Sequence, residues 1–469
     1  MINGKAQEPP HAVPDIVGTT RSAALRGPAE RVFLKGVRAM LRLAFPLALA
    51  ELGWMAMGVV DVIMVGRLPA SADAIGAASL GAALFYPFAI AAIGLLSGMD
   101  ALVSHAFGAD DPEEARRSLG SGLAIAFVAS PVAVAIIFAM IPLLSRLGVV
   151  PVVRDDAVGF IHILSWSLPL LVIYTCFRRY LQGIHCVRPI AVALISSNLV
   201  NAFGNWILIF GHWGAPAMGV RGSALSTVFA RVYLAGFLMF VVWLRDPLAI
   251  RGLHASRALA GRLLRLGLPA AATIGLEVGV FHTATVLAGM LNPVSLAAHT
   301  IVLNAAAVTY MPQLGLGSAA AVSVGRALGA GDRAGAVRAG WTALALATAL
   351  ELFAAGLFLL LPRQITHIYT SDSRVVRLSV TLFAIAAGFQ IFDGIQTVAT
   401  GALRGWGNTK TAMTFNLVAY WFIGLPFGWW LCFRKGWGVA GIWDGLWLAL
   451  ALIAVGLTFV LHRRSRQSR

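Results

Sequence analysis

Apolar segments of about 20 residues or more recur along almost the whole chain, separated by short polar stretches. This is the length that an α-helix needs to cross roughly 30 Å of hydrocarbon. Transmembrane strands would instead alternate apolar and polar residues over about ten positions. The pattern therefore predicts about twelve membrane-spanning helices, at approximately 37–66, 76–103, 114–144, 156–181, 189–210, 218–244, 262–290, 295–325, 336–361, 375–402, 411–432 and 438–462.

The composition agrees with a chain that is dissolved in lipid rather than in water. Of the 469 residues, 59% are hydrophobic and only 12% are charged, and no stretch has enough polar residues to cover a water-soluble domain. We therefore expect an all-α integral membrane protein whose main partner is the lipid bilayer. The three cysteines are predicted to be small apolar fillers, since they are odd in number and lie in or beside helices.

The second half of the chain repeats the first. The segment "GLLSGMDALVSHAFGADD" at Gly94 matches "GLGSAAAVSVGRALGAGD" at Gly315, a shift of about 221 residues, and similar shifts carry "LAFP" at 43 onto "LGLP" at 266 and "YLQGIHCVRP" at 180 onto "ALRGWGNTKT" at 402. Six helices per half make a parallel repeat, which is typical of transporters with a central cavity between two bundles. The predicted units are a tail at 1–36, a lobe at 37–245, a linker at 246–261, a lobe at 262–462 and a tail at 463–469.

Basic residues set the expected orientation, because Lys and Arg favour cytoplasmic loops. With both termini inside, about 26 of them are cytoplasmic and about 8 are external. This assignment places Arg178, Arg179 and Arg404 in cytoplasmic loops, and it explains the formal charge of +16 without a nucleic-acid partner. The N-terminal tail is polar and lacks an apolar core with a cleavage site, so we predict a disordered cytosolic segment rather than a signal peptide.

Several acids fall inside the predicted spans, where a charge costs at least roughly 2.5–3.5 kcal/mol. Arg231 is the one basic residue expected at similar depth, and the sequence shows no ion-pair partner for most of the acids. An exchangeable cation, H⁺ or Na⁺, would satisfy them. The acids are Glu51, Asp61, Asp100, Glu277, Glu351, Asp393 and Asp444.

The fifth predicted span contains two asparagines, Asn201 and Asn205, that lie four residues apart and so share one helix face. Amide oxygens bind hard cations when a carboxylate supplies the charge, and Asp61 is a candidate for that carboxylate. The corresponding positions of the second half, Ile423 and Phe427, are apolar. Hydrogen bonding between the two asparagines as a purely structural feature remains the alternative.

Taken together, "VDVIMVG", "LEVGVFHTATVLAG", "LAAHTIVLN", "GLGSAAAVSVGRALGAGD" and "FQIFDGIQTVATGALRGWGNTKT" resemble the multidrug and toxic compound extrusion family, most closely its bacterial NorM-like branch. The resemblance covers essentially the whole chain after the tail. It implies two bundles around a cleft, a location in the bacterial inner membrane, and export of amphipathic, often cationic compounds driven by inward flow of Na⁺ or H⁺.

The resemblance also implies roles for individual residues. The family's coupling acids fall on Asp61, Glu277 and Asp393, and its paired asparagines of span 5 fall on Asn201 and Asn205. A Na⁺ ion would bind either at Asp61 with both asparagines or at Glu277 with Asp393.

One position departs from the family pattern. A Tyr is expected four residues before Asp393, and Phe389 stands there. Phe389 keeps an aromatic face but has no hydroxyl ligand, which favours protons over Na⁺.

Further candidates are less specific. Glu51, Gln390 and Gln396 are predicted as secondary polar positions of the cleft, and Glu51, about 15 Å from Asp61 along one helix, is either a second station for the cation or a polar wall residue. The predicted aromatic wall of the substrate cleft consists of Phe389, Tyr310 and Tyr86.

The remaining acids and histidines are predicted to be structural. Asp100 is expected to cap a loop or to meet an arginine, and Glu351 and Asp444 to support the fold. His282 is expected to face away from Glu277. His105 and His299 are expected to be hydrogen-bonded helix residues.

Two other classes of function stay open. A lipid-linked saccharide flippase has a related layout but should carry more basic residues in its cavity than Arg231 alone. A membrane enzyme is disfavoured because no G-x-S-x-G, H-E-x-x-H or P-loop motif occurs. We therefore expect a monomeric secondary transporter with no cofactor other than the coupling ion, and small amphipathic molecules as its substrates.

Overall fold

The computed structural model describes residues 28–69, 71–146 and 151–466, and within these ranges all regular structure is helical. Most of the predicted N-terminal tail, residues 1–27, lies outside the described residues. Helix α1 begins at Pro28, within the range predicted for the tail.

Within its described residues, the N-terminal lobe contains eight α-helices. They are α1 (Pro28–Val65), α2 (Ser71–Leu96), α3 (Met99–Gly108), α4 (Pro112–Met140), α5 (Pro151–Ser165), α6 (Leu168–Gly183), α7 (Arg188–Phe210) and α8 (Val220–Arg245). A short helix α9 (Pro247–Arg251) connects the lobes.

The C-terminal lobe contains α10 (Arg257–Gly289), α11 (Pro293–Gly329), α12 (Arg333–Leu360), α13 (Pro362–His367), α14 (Ser373–Gly405), α15 (Lys410–Arg434) and α16 (Val439–Arg466). Helix α10 starts at Arg257, before the predicted boundary at 262, because the hydroxyl of Ser256 caps its first turn by accepting a hydrogen bond from the Leu259 N–H. Helix α15 includes two π-helical segments, Leu417–Gly424 and Trp430–Arg434.

The number of spans agrees with the sequence pattern. In the described part of the chain, eleven helices are long and apolar enough to cross a bilayer, and a bent pair raises the number to as many as twelve. Large apolar side chains such as Phe127, Leu199 and Phe353 are exposed on the outside of the bundle, as expected for surfaces that contact lipid.

The bent pair is α5 and α6, which meet at 41° where a single span was predicted. The bend lies at Ser167, two residues before Pro169, whose ring supplies no backbone N–H for a continuous helix. Arg231 of α8 fills the gap: its Nη1 donates to Ser167 Oγ at 2.5 Å, and its guanidinium lies 4.9 Å from the centre of the Phe85 ring. The deep basic residue of the sequence is therefore a structural part of the N-terminal lobe.

The two lobes meet through repeat-related helices: α11 packs against α1 and α3, and α10 packs against α2. The backbones of the two lobes approach most closely at glycines, and the internal repeat relates these contacts to one another. A Cβ at Gly108 would overlap the carbonyl oxygen of Arg326, and a Cβ at Gly329 would overlap the carbonyl oxygen of His105. These contacts close one end of the molecule, the end where α1 begins and α16 ends.

A second pair of contacts lies one layer further in. A Cβ at Gly94 would lie 2.7 Å from the Cα of Ala271, and a Cβ at Gly315 would lie 2.5 Å from the backbone nitrogen of Ala48. The shift of about 221 residues exchanges these two contacts as it exchanges the first pair. We call the four glycines Gly94, Gly108, Gly315 and Gly329, with the backbone they touch, the glycine seam.

Asp246, just after α8, ties three helices together at this end. It accepts hydrogen bonds from Arg116 Nε of α4 at 2.8 Å and from the Tyr180 hydroxyl of α6 at 2.9 Å. Partial burial raises the pKa of Asp246, but the Arg116 and Tyr180 hydrogen bonds outweigh this, so its pKa lies below the ordinary value of 3.8. The carboxylate therefore stabilises the fold above that pH.

We expect Asp246→Asn to lower the free energy of unfolding by roughly 1–2 kcal/mol at pH 7. Because the folded-state pKa is depressed, the contribution is complete above pH 3.8 and is lost as the pH falls through the folded-state value. Thermal unfolding in detergent should show a lower Tm for the variant at pH 7 and a Tm difference that narrows as the pH falls below 3.8. A difference that does not narrow over this range would contradict this role of the ionised carboxylate.

Candidate functional site

A cavity of about 510 Å³ lies between the lobes, directly beyond the glycine seam. Helices α1, α2 and α6 of one lobe and α10, α11 and α14 of the other contribute its walls. Most of the wall is apolar, with Trp54 and Ile93 on one side and Phe281 and Met311 on the other. A concave apolar site with a few convergent polar groups is the usual form of a small-molecule binding site.

Two acids stand in the C-terminal wall of this cavity, Glu277 of α10 and Asp393 of α14. The Tyr310 hydroxyl donates to Glu277 Oε1 at 3.1 Å. Gln396 Nε2 lies 3.4 Å from both Glu277 Oε1 and Asp393 Oδ1, so one amide bridges the two carboxyl groups. The structure therefore brings together Glu277, Asp393, Gln396 and Tyr310, all of which the sequence had singled out.

Gln390 does not line the cavity, and its predicted place in the cleft was wrong. It lies one layer behind Asp393, where its amide donates to Thr309 and, at 3.3 Å, to Glu351 Oε2. Glu351 is fully buried at the same depth. Position 390 lies three residues from Asp393 on the same helix, but the helix turns it toward α12 rather than toward the cavity.

The aromatic predictions divide in the same way. Phe389 and Tyr310 line the cavity, and the Phe389 ring lies 6.0 Å from that of Phe281 and 5.4 Å from that of Trp443. Tyr86 does not line the cavity: it packs edge-on against Phe85 inside the N-terminal lobe, 5.7 Å away. The placement of Tyr86 in the cleft was therefore wrong.

Two histidines are hydrogen-bonded helix residues, as predicted, whereas the predicted orientation of a third is wrong. His299 shares hydrogen bonds with Thr285 and Trp443, and His105 Nε2 lies 2.8 Å from the Gly405 carbonyl. His282, expected to face away from Glu277, lines the same cavity. The cavity is wide enough at this level for neighbouring faces of α10 to border it.

A separate polar cluster surrounds Asp61 within the N-terminal lobe. Asn205 Nδ2 donates to Asp61 Oδ1 at 2.7 Å and lies 3.4 Å from Asn201 Oδ1. The Thr227 hydroxyl of α8 donates to Asp61 Oδ2 at 3.3 Å. The three predicted residues do meet, but they do not line the central cavity.

Thr227 was missed by the sequence analysis. A polar residue that alternates with small residues in "GSALSTVFAR" was the available signal. In this arrangement the amide nitrogen of Asn205, rather than its oxygen, faces the carboxylate, which suits a hydrogen-bonded acid.

Three arginines form the end of the cavity next to the glycine seam, and they lie in helices α6 and α14 rather than in the loops where the sequence placed them. Arg178 pairs with Glu51, and Asp100 accepts from Arg179 Nη1 at 2.8 Å and from Arg404 Nη1 at 3.3 Å. We call these five residues the arginine floor.

Asp100 therefore meets arginines, as one of its two predicted roles required, whereas Glu51 has an ion-pair partner that the sequence did not reveal. The sequence analysis disfavoured a lipid-linked saccharide flippase because it expected Arg231 alone as a basic residue of the cavity. The arginine floor removes that argument. Charge alone does not distinguish these two classes here.

Comparison with known proteins decides between the exporter family and the flippase. The MatE family model matches residues 46–207 and again residues 269–430. The chain is 34% identical to the probable multidrug resistance protein NorM of Pseudomonas aeruginosa, over 91% of this chain and 89% of that protein. It is also 34% identical to the multidrug resistance protein NorM of Burkholderia vietnamiensis, over 96% of this chain and 97% of that protein.

Solved structures have the same fold. A eukaryotic MATE transporter superposes with a TM-score of 0.83 at 21% identity, over 93% of this chain and 99% of its own. An outward-facing multidrug resistance MATE family transporter superposes with a TM-score of 0.82 at 18% identity, over 92% and 96%. The repeat, the spans and the sequence matches agree, and this chain belongs to the MatE family of multidrug and toxic compound extrusion transporters, on its bacterial NorM-like branch.

Proposed function

We propose that this protein exports amphipathic, often cationic compounds in exchange for inward-moving H⁺, by alternating access of its two lobes. The observation that carries the proposal is the pair Glu277 and Asp393, joined by Gln396 in the wall of an otherwise apolar cavity between two structural repeats. A cationic substrate and a coupling cation both neutralise such a pair, so they compete for it.

Competition for one pair of acids gives exchange if each ligand favours a different conformation of the lobes. Cation loading from outside would release the substrate outward, and discharge of the cation inward would restore the substrate-binding form. Ionised carboxyl groups out of water are costly, which makes an empty, doubly charged pair an unfavourable intermediate and couples the two movements.

Protons fit the described residues better than Na⁺. The neighbour of Asp393 at position 389 is a phenylalanine, whose ring packs on Phe281 and Trp443 and offers no oxygen ligand. The Glu277 and Asp393 site is therefore suited to carboxyl groups that gain and lose a proton.

The glycine seam supports the alternating-access part of the proposal. It closes the end of the molecule at which α1 begins and α16 ends, and the excess of basic residues in the loops at that end favours a cytoplasmic location. In a bacterial inner membrane with both termini in the cytoplasm, the cavity would then be shut off from the cytoplasm. A single chain contains both lobes and the cavity, which supports a monomer as the transporting unit.

Efflux from proteoliposomes tests the function directly. Ethidium is loaded, a proton gradient or a Na⁺ gradient is imposed separately, and the dye fluorescence is followed. We expect the proton gradient alone to drive efflux. Efflux driven only by Na⁺ would overturn the choice of ion, and no response to either gradient with several cationic dyes would overturn export of cations and direct the test to lipid-linked or anionic substrates.

A further inference from the structure

One buried acid of the C-terminal lobe has no part in the exchange described so far. Glu351 of α12 has no exposed surface, and its Oε2 accepts a hydrogen bond from the Gln390 amide of α14 at 3.3 Å. Within the described residues, no basic side chain forms an ion pair with it. An ionised carboxylate out of water and without a counter-ion is costly, so Glu351 is expected to hold a proton.

The hydrogen-bonding groups around Glu351 also favour a proton. Three buried oxygen atoms have no donor in the described part of the chain: Oε1 of Glu351, Oε1 of Gln313 in α11 and Oε1 of Gln390. The two amide nitrogens are already used, because that of Gln313 donates to the Ala347 carbonyl at 3.4 Å and that of Gln390 donates to Thr309 and Glu351. A protonated Glu351 supplies the hydroxyl donor that these acceptors lack. We call Glu351, Gln313 and Gln390 the buried acid cluster.

The buried acid cluster lies directly behind the part of the cavity wall that carries Asp393. A Cβ at Gly394 would lie 2.5 Å from Glu351 Cγ and 3.2 Å from its Oε1, so a side chain at this position would exclude the acid from α14. Glu351 is near enough to Asp393 for the negative charges of the two carboxylates to repel each other. The ionisation of one acid therefore opposes the ionisation of the other.

The other titratable groups on the helices around α12 lie farther from Glu351. Helix α12 packs against α14, α11, α1 and α13. On α11, the Tyr310 hydroxyl is engaged with Glu277. Helix α1 meets α12 where Gly36 faces Thr342, nine residues or about 14 Å from Glu351. The groups at these more distant positions are Lys35 and Arg38 beside Gly36, His462 of α16 against Trp341, and Arg363 and His367 of α13 beyond the end of α12.

We propose that Glu351 binds an exchangeable proton of its own, which a cationic substrate displaces through its charge rather than by contact. The inference rests on the proposed proton-coupled export and adds an acid that does not line the cavity. A cation at Glu277 and Asp393 favours the ionised form of nearby acids. When it binds, the O–H bond of the Glu351 carboxyl group breaks, the carboxylate keeps the electron pair, and the proton passes to water by way of the cavity. The reverse step reloads Glu351 when the cation leaves.

Counting protons tests this inference. Ethidium is added to the purified protein in weakly buffered detergent solution at neutral pH, and the protons released per bound ethidium are measured with a pH-sensitive dye. We expect Glu351→Gln, whose amide has nearly the shape of the neutral acid, to release about one proton fewer per ethidium than the wild type. Glu351→Asp keeps a carboxyl group and should restore the wild-type count. Asp444→Asn, an acid of α16 outside the cavity, is the matched control and should leave the count unchanged.

Charge movement in proteoliposomes gives a second readout. Each proton carries one positive charge, so Glu351→Gln should reduce the charge moved per exported ethidium by about one. A membrane potential set with K⁺ and valinomycin should then change the efflux of this variant less than that of the wild type. A glutamate with a purely structural role would alter the rate of efflux but not the charge moved per ethidium.

The outcomes separate this inference from the export function. Equal proton counts in the wild type and Glu351→Gln would mean that Glu351 keeps its proton throughout, and would overturn the exchange while proton-coupled export stands. A count that Glu351→Asp does not restore, or loss of ethidium binding in both variants, would assign Glu351 to packing and would also overturn it. A wild-type protein that releases no proton when it binds ethidium, and whose efflux does not respond to a proton gradient, would overturn both proposals.

Discussion

Asp393→Asn is expected to abolish proton-driven efflux while leaving the protein folded. The amide has nearly the shape of the carboxyl group and still pairs with Gln396, which lies 3.4 Å away, so packing is preserved. The side chain no longer gains or loses a proton, and a ligand that binds both conformations equally shifts neither. Efflux of ethidium from proteoliposomes should fall to the background leak, with a Tm in detergent equal to or above that of the wild type.

Asp61→Asn should have the same effect for a different reason. Asp61 does not line the cavity, and its hydrogen bonds with Asn205 and Thr227 lie inside the N-terminal lobe. Loss of transport there, with ethidium binding retained, would assign Asp61 to coupling rather than to substrate recognition. Asp444→Asn, an acid of α16 outside the cavity, is the matched control and should transport normally. Wild-type efflux in both Asp61→Asn and Asp393→Asn would contradict the proposal that these acids couple proton entry to export.

The features of this fold that could be predicted are those that depend on local sequence patterns. The length of the apolar segments predicted the membrane spans, and the internal repeat predicted two lobes. One contact also followed from helix periodicity, that of Asn201 with Asn205, four residues apart. It needs one helix only, which is why it was visible before the tertiary structure.

The arginine floor could not be predicted from the sequence, because its contacts join residues of different helices. Arg178, Arg179 and Arg404 lie near the ends of their helices, where basic residues ordinarily mark the cytoplasmic side. Their role depends on Asp100 and Glu51, which are distant in sequence, and no periodicity connects them. The misplacement of Gln390 and Tyr86 has the same origin, because nearly every face of a buried membrane helix packs against protein and the sequence does not say which neighbour it meets.

Substitutions in the glycine seam are expected to change the conformation of the lobes rather than the charge of a side chain. At Gly108 and Gly329 the atom that blocks a Cβ is a backbone carbonyl oxygen of the other lobe, that of Arg326 or of His105. A side chain could rotate away from a new methyl group, but a helix backbone cannot, so the lobes themselves must separate. Overpacking of this kind costs roughly 1–3 kcal/mol per site.

We therefore expect Gly108→Ala with Gly329→Ala to destabilise the closed end by enough to shift the population about a hundredfold, since 1.4 kcal/mol is a factor of ten. Each lobe should still fold, because neither glycine has a positive φ and alanine can adopt the same backbone conformation. Proton-driven efflux should fall about tenfold or more. Spin labels on Glu113→Cys and Arg333→Cys, exposed sites of opposite lobes near the seam, should report longer and broader distances.

Gly261→Ala supplies the comparison that makes this result specific. Gly261 lies in α10 with open space where a Cβ would stand, so alanine there should leave both transport and the spin-label distance unchanged. If the double variant transports normally and its label distance matches that of the wild type, the seam tolerates a methyl group and the lobes do not close through these carbonyls. If the distance lengthens without loss of transport, closure at this end is not part of the transport cycle. Only the two changes together place the repeat-related glycines at the moving contact between the lobes.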